Sequence, residues 1–319
     1  MKFTEEQLVA YSKPLSETEE QQCKNAIAMV VDALKKLGFK EENQITKKYS
    51  ETPSFQVKMK SAQDGYEVNI FLQGSYAKNT NVRTHSDVDI AVVQEDVFRP
   101  KYRPGVTGAD YGFANALPRA KSFKDVVQEA LIKKFGKDVE RCNKSIKIHG
   151  NTYRKDADSV PALRFRNYQQ DYINDSDNYI GGILIKPDEG VEIINYPEQH
   201  LRNGIEKNKS TNYSFKKMVR IAKEMRYQME DRGYKYAKKA SSFGVECLVW
   251  NVPDDIFTKY QLIGFKFEEI VTYLYSNRNS ILIFKEVNGI KNLCDDDVER
   301  RDIYIGFVEE LKRFFEYEY

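Results

Sequence analysis

The sequence predicts an α+β protein, a mixed sheet-and-helix half over residues 1–200 followed by a helical half over residues 201–319. Three observations carry this. Val68, Ile70 and Leu72 alternate with other residues at the period of a strand, and the run stops at Gly74-Ser75, a pair suited to a tight turn. A second apolar run, Val88 to Val93, reads as another strand and opens with Asp87 and Asp89. After Pro197, strand patterns give way to helical ones, and between Leu201 and Ala240 twelve Lys/Arg stand against four Asp/Glu.

The elements follow in order. Ser16-Glu17-Thr18-Glu19 is a capping box, and Ile27, Val30, Val31, Leu34 and Leu37 continue it as an amphipathic helix that Gly38 can stop. A strand near Phe55-Gln56-Val57 precedes the Val68–Leu72 strand. Phe98 to Pro118, punctuated by Pro100, Pro104, Gly105, Gly108 and Gly112, reads as a loop. It is open to two readings, a functional insertion next to the active site or a packed surface loop. A helix starts at Ser122, and Ile146 and Ile148 alternate with lysines as on a half-exposed strand. Gly181–Ile185 and Val191–Ile194 flank Pro187-Asp188-Glu189-Gly190 as a hairpin. In the second half helices are expected from Tyr213, at Ser242–Trp250, Phe265–Tyr275 and Val298–Phe315. Lys216, Lys217, Arg220 and Lys223 on the first of these read either as a solvated face or as an electrostatic funnel for a polyphosphate. Asp295-Asp296-Asp297 sits where a helix N-terminus favours carboxylates, so it is not read as a metal site.

Composition sets outer bounds. With 319 residues, 41% hydrophobic, the chain can bury a sizeable core. A net charge of +2 does not suit a strongly basic nucleic-acid binder, so no stable nucleic-acid partner is expected. No apolar run is long enough for a membrane span, and the N-terminus lacks a signal-peptide pattern. Cys23, Cys142, Cys247 and Cys294 are far apart and expected to be free thiols in a cytoplasmic protein. His85, His149 and His200 show no metal-ligand spacing.

The chemistry lies in the Gly74–Asp89 stretch. Residues i and i+2 of a strand share a face, so Asp87 and Asp89 project together and repel unless a cation lies between them. Two carboxylates suit Mg²⁺, whose other ligands are commonly water and substrate phosphate. A neighbouring Gly-Ser turn offers N–H groups and a hydroxyl to phosphate oxygens. Together they equip the chain for phosphoryl or nucleotidyl transfer, for which a third carboxylate often bridges a second ion. Asp158 and Asp156 are the candidates, sharing a face if that strand is regular.

Gln73-Gly74-Ser75-Tyr76, Ser86-Asp87-Val88-Asp89-Ile90, Asp158-Ser159-Val160-Pro161-Ala162 and Ile194-Asn195-Tyr196-Pro197-Glu198-Gln199-His200 are followed by Lys207-Asn208, by the run Phe215–Lys223 and by Ser242-Phe243-Gly244-Val245-Glu246 with Trp250-Asn251-Val252-Pro253. With these motifs the chain resembles the polymerase β type of nucleotidyltransferase fold. Within it the chain is similar to the bacterial cGAS/DncV-like nucleotidyltransferases (CD-NTases), closest to the CdnE-like branch, which make cyclic di- and trinucleotide signals. The resemblance implies a nucleotide cleft between the two halves, with two Mg²⁺ or Mn²⁺ ions on Asp87, Asp89 and Asp158; the match to Asp158-Ser159-Val160-Pro161 favours Asp158 over Asp156. It implies that Gln73, Gly74 and Ser75 bind the donor nucleotide, the last two at its terminal phosphates. It also implies that Lys223 and Ser242 grip the triphosphate from the helical half, and that Asn195 sits near a base and accepts a pyrimidine; the residue itself is equally read as a strand-end Asn that closes a turn onto its own backbone. The substrates are then ATP and a second nucleoside triphosphate, with UTP suggested by Asn195. The enzyme is expected as a monomer acting through a downstream effector in antiphage (CBASS) signalling. A linear nucleotidyltransferase (an oligoadenylate synthase, a tRNA-tailing or a protein-modifying enzyme) and an inactive nucleotide-binding regulator remain as alternatives.

Overall fold

The structure is a computed structural model that describes residues 2–61, 63–82, 87–150, 156–295 and 297–316. The chain divides into two units, one of Ser16–Lys78 and Ser86–Glu198, the other of Met1–Leu15, Asn79–His85 and Gln199–Tyr319. The main boundary falls two residues before the expected one, but the segments 1–15 and 79–85 join the helical unit rather than the sheet unit.

The chain opens with α1 (Glu5–Tyr11), part of the helical unit, held by a Thr4/Gln7 capping box. The sheet unit then starts with α2 (Glu17–Lys35), capped by Ser16 and Glu19 as the sequence predicts, and Gly38 at φ +85° closes the turn beyond it. The strands are β1 (Phe39–Glu41), β2 (Thr46–Lys47), β3 (Phe55–Ser61), β4 (Glu67–Leu72) and, after α3 (Gly74–Lys78), β5 (Val88–Lys101). Helix α4 (Phe123–Phe135) precedes β6 (Val139–Arg141), β7 (Ile146–Ile148), β8 (Ala157–Asn167), β9 (Ile180–Ile185) and β10 (Ile193–Asn195).

Among the described residues these strands form one sheet in the order β1-β3-β4-β5-β8-β7-β6, with β2 on β3, β9 on β8 and β10 on β9. Among the described residues only the β5–β8 pairing is parallel. Phe71, Ala91, Val93, Val160, Ala162, Ile183 and Ile185 cluster on one face with Ile193 and without any helix residue. Helices α2 and α4, which pack together and onto β4, β5 and β8, therefore cover the other face, where Ile70, Ile90 and Val92 are fully buried.

Strand β5 runs to Lys101, past a register shift between Gln94 and Phe98. The expected loop thus begins four residues late. It also lies away from the aspartates, because Asp89 pairs with Asp158 and Phe98 with Arg164, six residues apart along β8, roughly 20 Å at about 3.3 Å per residue. There Tyr102, Tyr111 and Phe113 stack around Tyr168, and Tyr111 Oη donates to Asp171 at 2.6 Å. These rings pack the first part of the loop, whereas residues 114–118 are exposed.

The helical unit continues with α5 (Pro197–Ser210), α6 (Phe215–Asp231), α7 (Lys235–Lys239), α8 (Ser242–Trp250), α9 (Asp254–Thr258), α10 (Ile263–Ser276) and α11 (Val298–Glu316). Its core gathers Phe215, Met218, Ala222, Met225 and Met229 of α6 with Leu248, Phe267, Phe307 and Phe314, all at most 1% exposed. Asn212 and Tyr213 take positive φ, so α6 begins two residues after its expected start. Asp297 Oδ1 accepts the Arg300 N–H at 2.9 Å at the start of α11, the role foreseen for the acidic run; Asp296 lies outside the described residues. No described helix is long and apolar enough to cross a membrane, and all four cysteines are free thiols.

Candidate active site

The parallel pairing of β5 and β8 builds the site of the sheet unit. Val88 stands level with Ala157 and Asp89 level with Asp158, so the two carboxylates form one rung, on the face of Ala91 and Val160 that α2 and α4 leave uncovered. Above them β4 ends and the chain turns. Gln73 N–H donates to the Asp89 carbonyl at 3.0 Å, fixing the turn against β5. Gly74 opens α3 at φ +69°, and a Cβ there would lie 1.9 Å from Asp89 Oδ2. Glycine is therefore required twice, by the backbone conformation and by the closeness of the carboxylate. Ser75 follows in the same turn, half-buried.

This crowding shows in the electrostatics. Burial, then the neighbouring Asp158 carboxylate and to a lesser degree Asp87, push Asp89 up to about 6, against a pull from Lys78. Burial and Asp87 likewise raise Asp158, while Lys147 and a hydroxyl bond from Ser145 Oγ at 3.4 Å oppose the rise. Asp87 itself is turned to Lys147, whose Nζ lies 3.3 Å from Asp87 Oδ2 and 3.1 Å from Asp156 Oδ2. Among the described residues no three acidic, histidine or cysteine side chains converge on one point, so the structure brings Asp89 and Asp158 together and leaves Asp87 beside them on a lysine. Lys147 had no role in the sequence reading. Its place between two buried isoleucines was visible, but the register that sets it opposite Asp158 was not.

Asn195 ends β10 opposite Ile183, half-buried, with its carbonyl so close to Gly182 that a Cβ there would approach to 2.8 Å.

In the helical unit Ser242 is the first residue of α8, and the cap of that helix is Ser241, whose Oγ accepts the Gly244 N–H at 3.0 Å. The charged residues of α6 depart from the solvated-face reading. Lys216, Arg220 and Lys223 are buried, and only Lys217 is exposed. Arg220 donates to the Ser12 carbonyl at 2.6 and 2.8 Å. Lys223 Nζ lies 2.6 Å from Glu246 Oε2 and 3.1 Å from the Thr80 carbonyl, and Glu246 Oε1 sits 2.7 Å from His200 Nε2. The structure thus gives Lys223 protein partners. A helix whose apolar stripe is this wide draws the flanking cations inward, and carboxylate and carbonyl groups meet Arg220 and Lys223 there.

A strand, a Gly-Ser turn laid against a carboxylate and a rung of paired aspartates are the parts of a nucleotidyltransferase, and residues 56–156 match the nucleotidyltransferase domain family. Residues 202–316 match the cGAS/DncV-like nucleotidyltransferase C-terminal helical domain. The chain is 49% identical to the cyclic GMP-AMP synthase CdnE03 of Staphylococcus schleiferi over 318 residues, 99% of this chain and 98% of that one. It is 35% identical to the cyclic dipyrimidine nucleotide synthase CdnE of Cecembia lonarensis, covering 92% of this chain and 90% of the relative. The solved structure of Elizabethkingia meningoseptica CdnE cyclic dinucleotide synthase with GTP and Apcpp superposes with a TM-score of 0.74 at 32% identity, over 99% of this chain and 100% of that one. The chain belongs to the cGAS/DncV-like nucleotidyltransferases, and it is an enzyme that joins nucleotides into a cyclic oligonucleotide.

Proposed function

We propose that the enzyme condenses two ribonucleoside triphosphates into a cyclic dinucleotide of GMP and AMP, releasing pyrophosphate at each of two transfers. End-to-end similarity to a cyclic GMP-AMP synthase at 49% identity carries the choice of bases. The rung of Asp89 and Asp158 beneath Gly74 carries the choice of catalytic centre.

The donor set fits a hard divalent cation. It is all oxygen, and both carboxylates are raised by burial and by neighbouring charge, a strain that a cation relieves. Asp89 and Asp158 would hold Mg²⁺ or Mn²⁺, with Asp87 joining them once it leaves Lys147. Such an ion supplies Lewis acidity at the α-phosphate and lowers the pKa of the acceptor hydroxyl. Gly74 leaves space where a side chain would displace Asp89. Ser75 and the α3 N–H groups bind terminal phosphates, and Gln73 anchors their turn. Ser242 is assigned to the triphosphate on the resemblance. Lys223 is assigned to holding Thr80 and Glu246 in the helical unit.

A second reading replaces one purine with uridine. It rests on Asn195, whose amide presents an acceptor and a donor side by side as uracil's edge does, and on the relative named for dipyrimidine products. The proposed setting is bacterial antiphage signalling, with a monomeric cytoplasmic enzyme and a separate effector that reads the product.

Incubation with all four ribonucleotides and Mg²⁺ or Mn²⁺, followed by phosphatase and mass spectrometry, tests the reading. The expected product is phosphatase-resistant and contains guanosine and adenosine. Only phosphatase-sensitive linear products would overturn cyclisation. A uridine-containing ring, shifted toward purines by Asn195→Ser, would replace the first choice of bases with the second.

A further inference from the structure

We propose that Lys147 is a built-in counter-ion of the aspartate cluster that competes with a divalent cation for Asp87. The inference rests on the metal-site reading above. Strands β5 and β8 run parallel, and aspartates two residues apart stand at the start of each. Register arranges these four as two rungs. Asp89 faces Asp158 on the inner rung, and one step outward Val88 N–H donates to the Asp156 carbonyl at 3.2 Å, bringing Asp156 level with Asp87.

Strand β7 runs antiparallel along the start of β8 and sets Lys147 opposite Asp158. The lysine nevertheless reaches the outer rung, where one ammonium meets both carboxylates, at 3.3 Å for Asp87 and 3.1 Å for Asp156. Asp156 is fixed a second time, since its Oδ1 accepts the Gly150 N–H at 2.5 Å. Asp87 is held by Lys147 with 47% of its side chain still exposed, so it can rotate when the ammonium lets go. Its charge already raises both inner carboxylates, which means Asp87 lies within electrostatic reach of any ion bound there. Lys147 thus neutralises Asp87 and withholds it from an ion on the inner rung. Removing the ammonium frees Asp87 as a ligand and leaves the cluster more negative, and both changes favour a divalent cation.

The test is Mn²⁺ titration of the full-length protein without nucleotide, read by the electron paramagnetic resonance of free Mn²⁺. Lys147→Met should bind Mn²⁺ about two- to tenfold more tightly than wild type. Lys147→Arg, which keeps the charge, should return toward wild type. In the Asp87→Asn background the Lys147→Met gain should shrink, because only the general change in charge at Asp158 and Asp89 remains, an outcome that a purely structural role would not produce. Lys147→Gln serves in the same role if the methionine variant does not fold. Unchanged or weaker Mn²⁺ binding by the variant, or a gain of undiminished size in Asp87→Asn, overturns the role of Lys147 and leaves the metal site standing. Absence of Mn²⁺ binding by wild type overturns the metal site and this inference with it.

Discussion

Asp89→Asn should destroy activity and make the ligand-free protein more stable. The carboxyl ionises near 3.8 in an unfolded chain and at about 6 in the folded one, so at neutral pH the fold bears the cost of holding the charge. At about 1.4 kcal/mol per pKa unit that gap is worth roughly 3 kcal/mol, an upper bound because the asparagine amide must also be accommodated beside Gly74. The sign follows from linkage. Below the unfolded value the acid is protonated in both states and the penalty is absent; it grows as pH rises through the interval and is complete above about 6. The variant should therefore gain about 1–3 kcal/mol over wild type at pH 7.5 and no more than about 0.5 kcal/mol at pH 4. Urea denaturation followed by circular dichroism in EDTA, at both pH values, measures the difference. Millimolar Mg²⁺ should raise wild-type stability and leave the variant unmoved. An unchanged or reduced stability at pH 7.5, or a gain that persists undiminished at pH 4, would refute the electrostatic argument.

Other outcomes follow from the same geometry. Asp158→Asn should abolish pyrophosphate release, whereas Asp156→Asn, outside the inner rung, should retain most of it in a coupled phosphate assay. Gly74→Ala should cost about 1–3 kcal/mol through its positive φ and displace Asp89, giving a folded but inactive protein on thermal melting and turnover assays. Lys223→Met should cost about 3–5 kcal/mol in denaturant because it takes the ammonium from the buried Glu246 and leaves its charge to His200 and Thr80, and adding Glu246→Gln should recover part of the loss. Asp188, bonded by Lys124 at 2.8 Å and by Arg141 at 2.6 and 2.9 Å, is held well below the usual carboxylate range by those cations. Its stabilisation is present above the unfolded pKa and lost as pH falls through the lower folded one. Asp188→Asn should thus cost about 1 kcal/mol at pH 7, discounted for its exposure, and progressively less toward pH 2 in paired melts.

Local features were legible in the sequence because their causes are local. The Ser16/Glu19 box, the Val68–Leu72 alternation and the stop at Gly74 each depend on residues within one or two turns, and the structure has them where they were read. The Thr4/Gln7 box was equally local, but α1 buries only Leu8, and so weak an apolar pattern went unread. What could not be read is set by pairing across distance. The last residues of β5 look like loop because of Pro100, yet β8 holds them in the sheet beyond a shift in register. Asp89 and Asp158 could be listed as candidates, but nothing between them states that they share a rung, nor that Lys147 reaches Asp87. The cations of α6 misled because charge normally marks a wet surface, and their partners, Ser12 and Thr80, lie far back along the chain.

That last arrangement bears on the order in which the molecule can be made. Both segments of the sheet unit are synthesised before α6 emerges, while Ser12, Asn79 and Thr80 have already left the ribosome with their acceptors unused. The helical unit cannot mature from its own contiguous stretch: a fragment beginning at residue 201 would carry Arg220 and Lys223 without the carbonyl groups that receive them in the whole chain. During translation the early segments 1–15 and 79–82 therefore wait until the buried cations of α6 arrive to claim them.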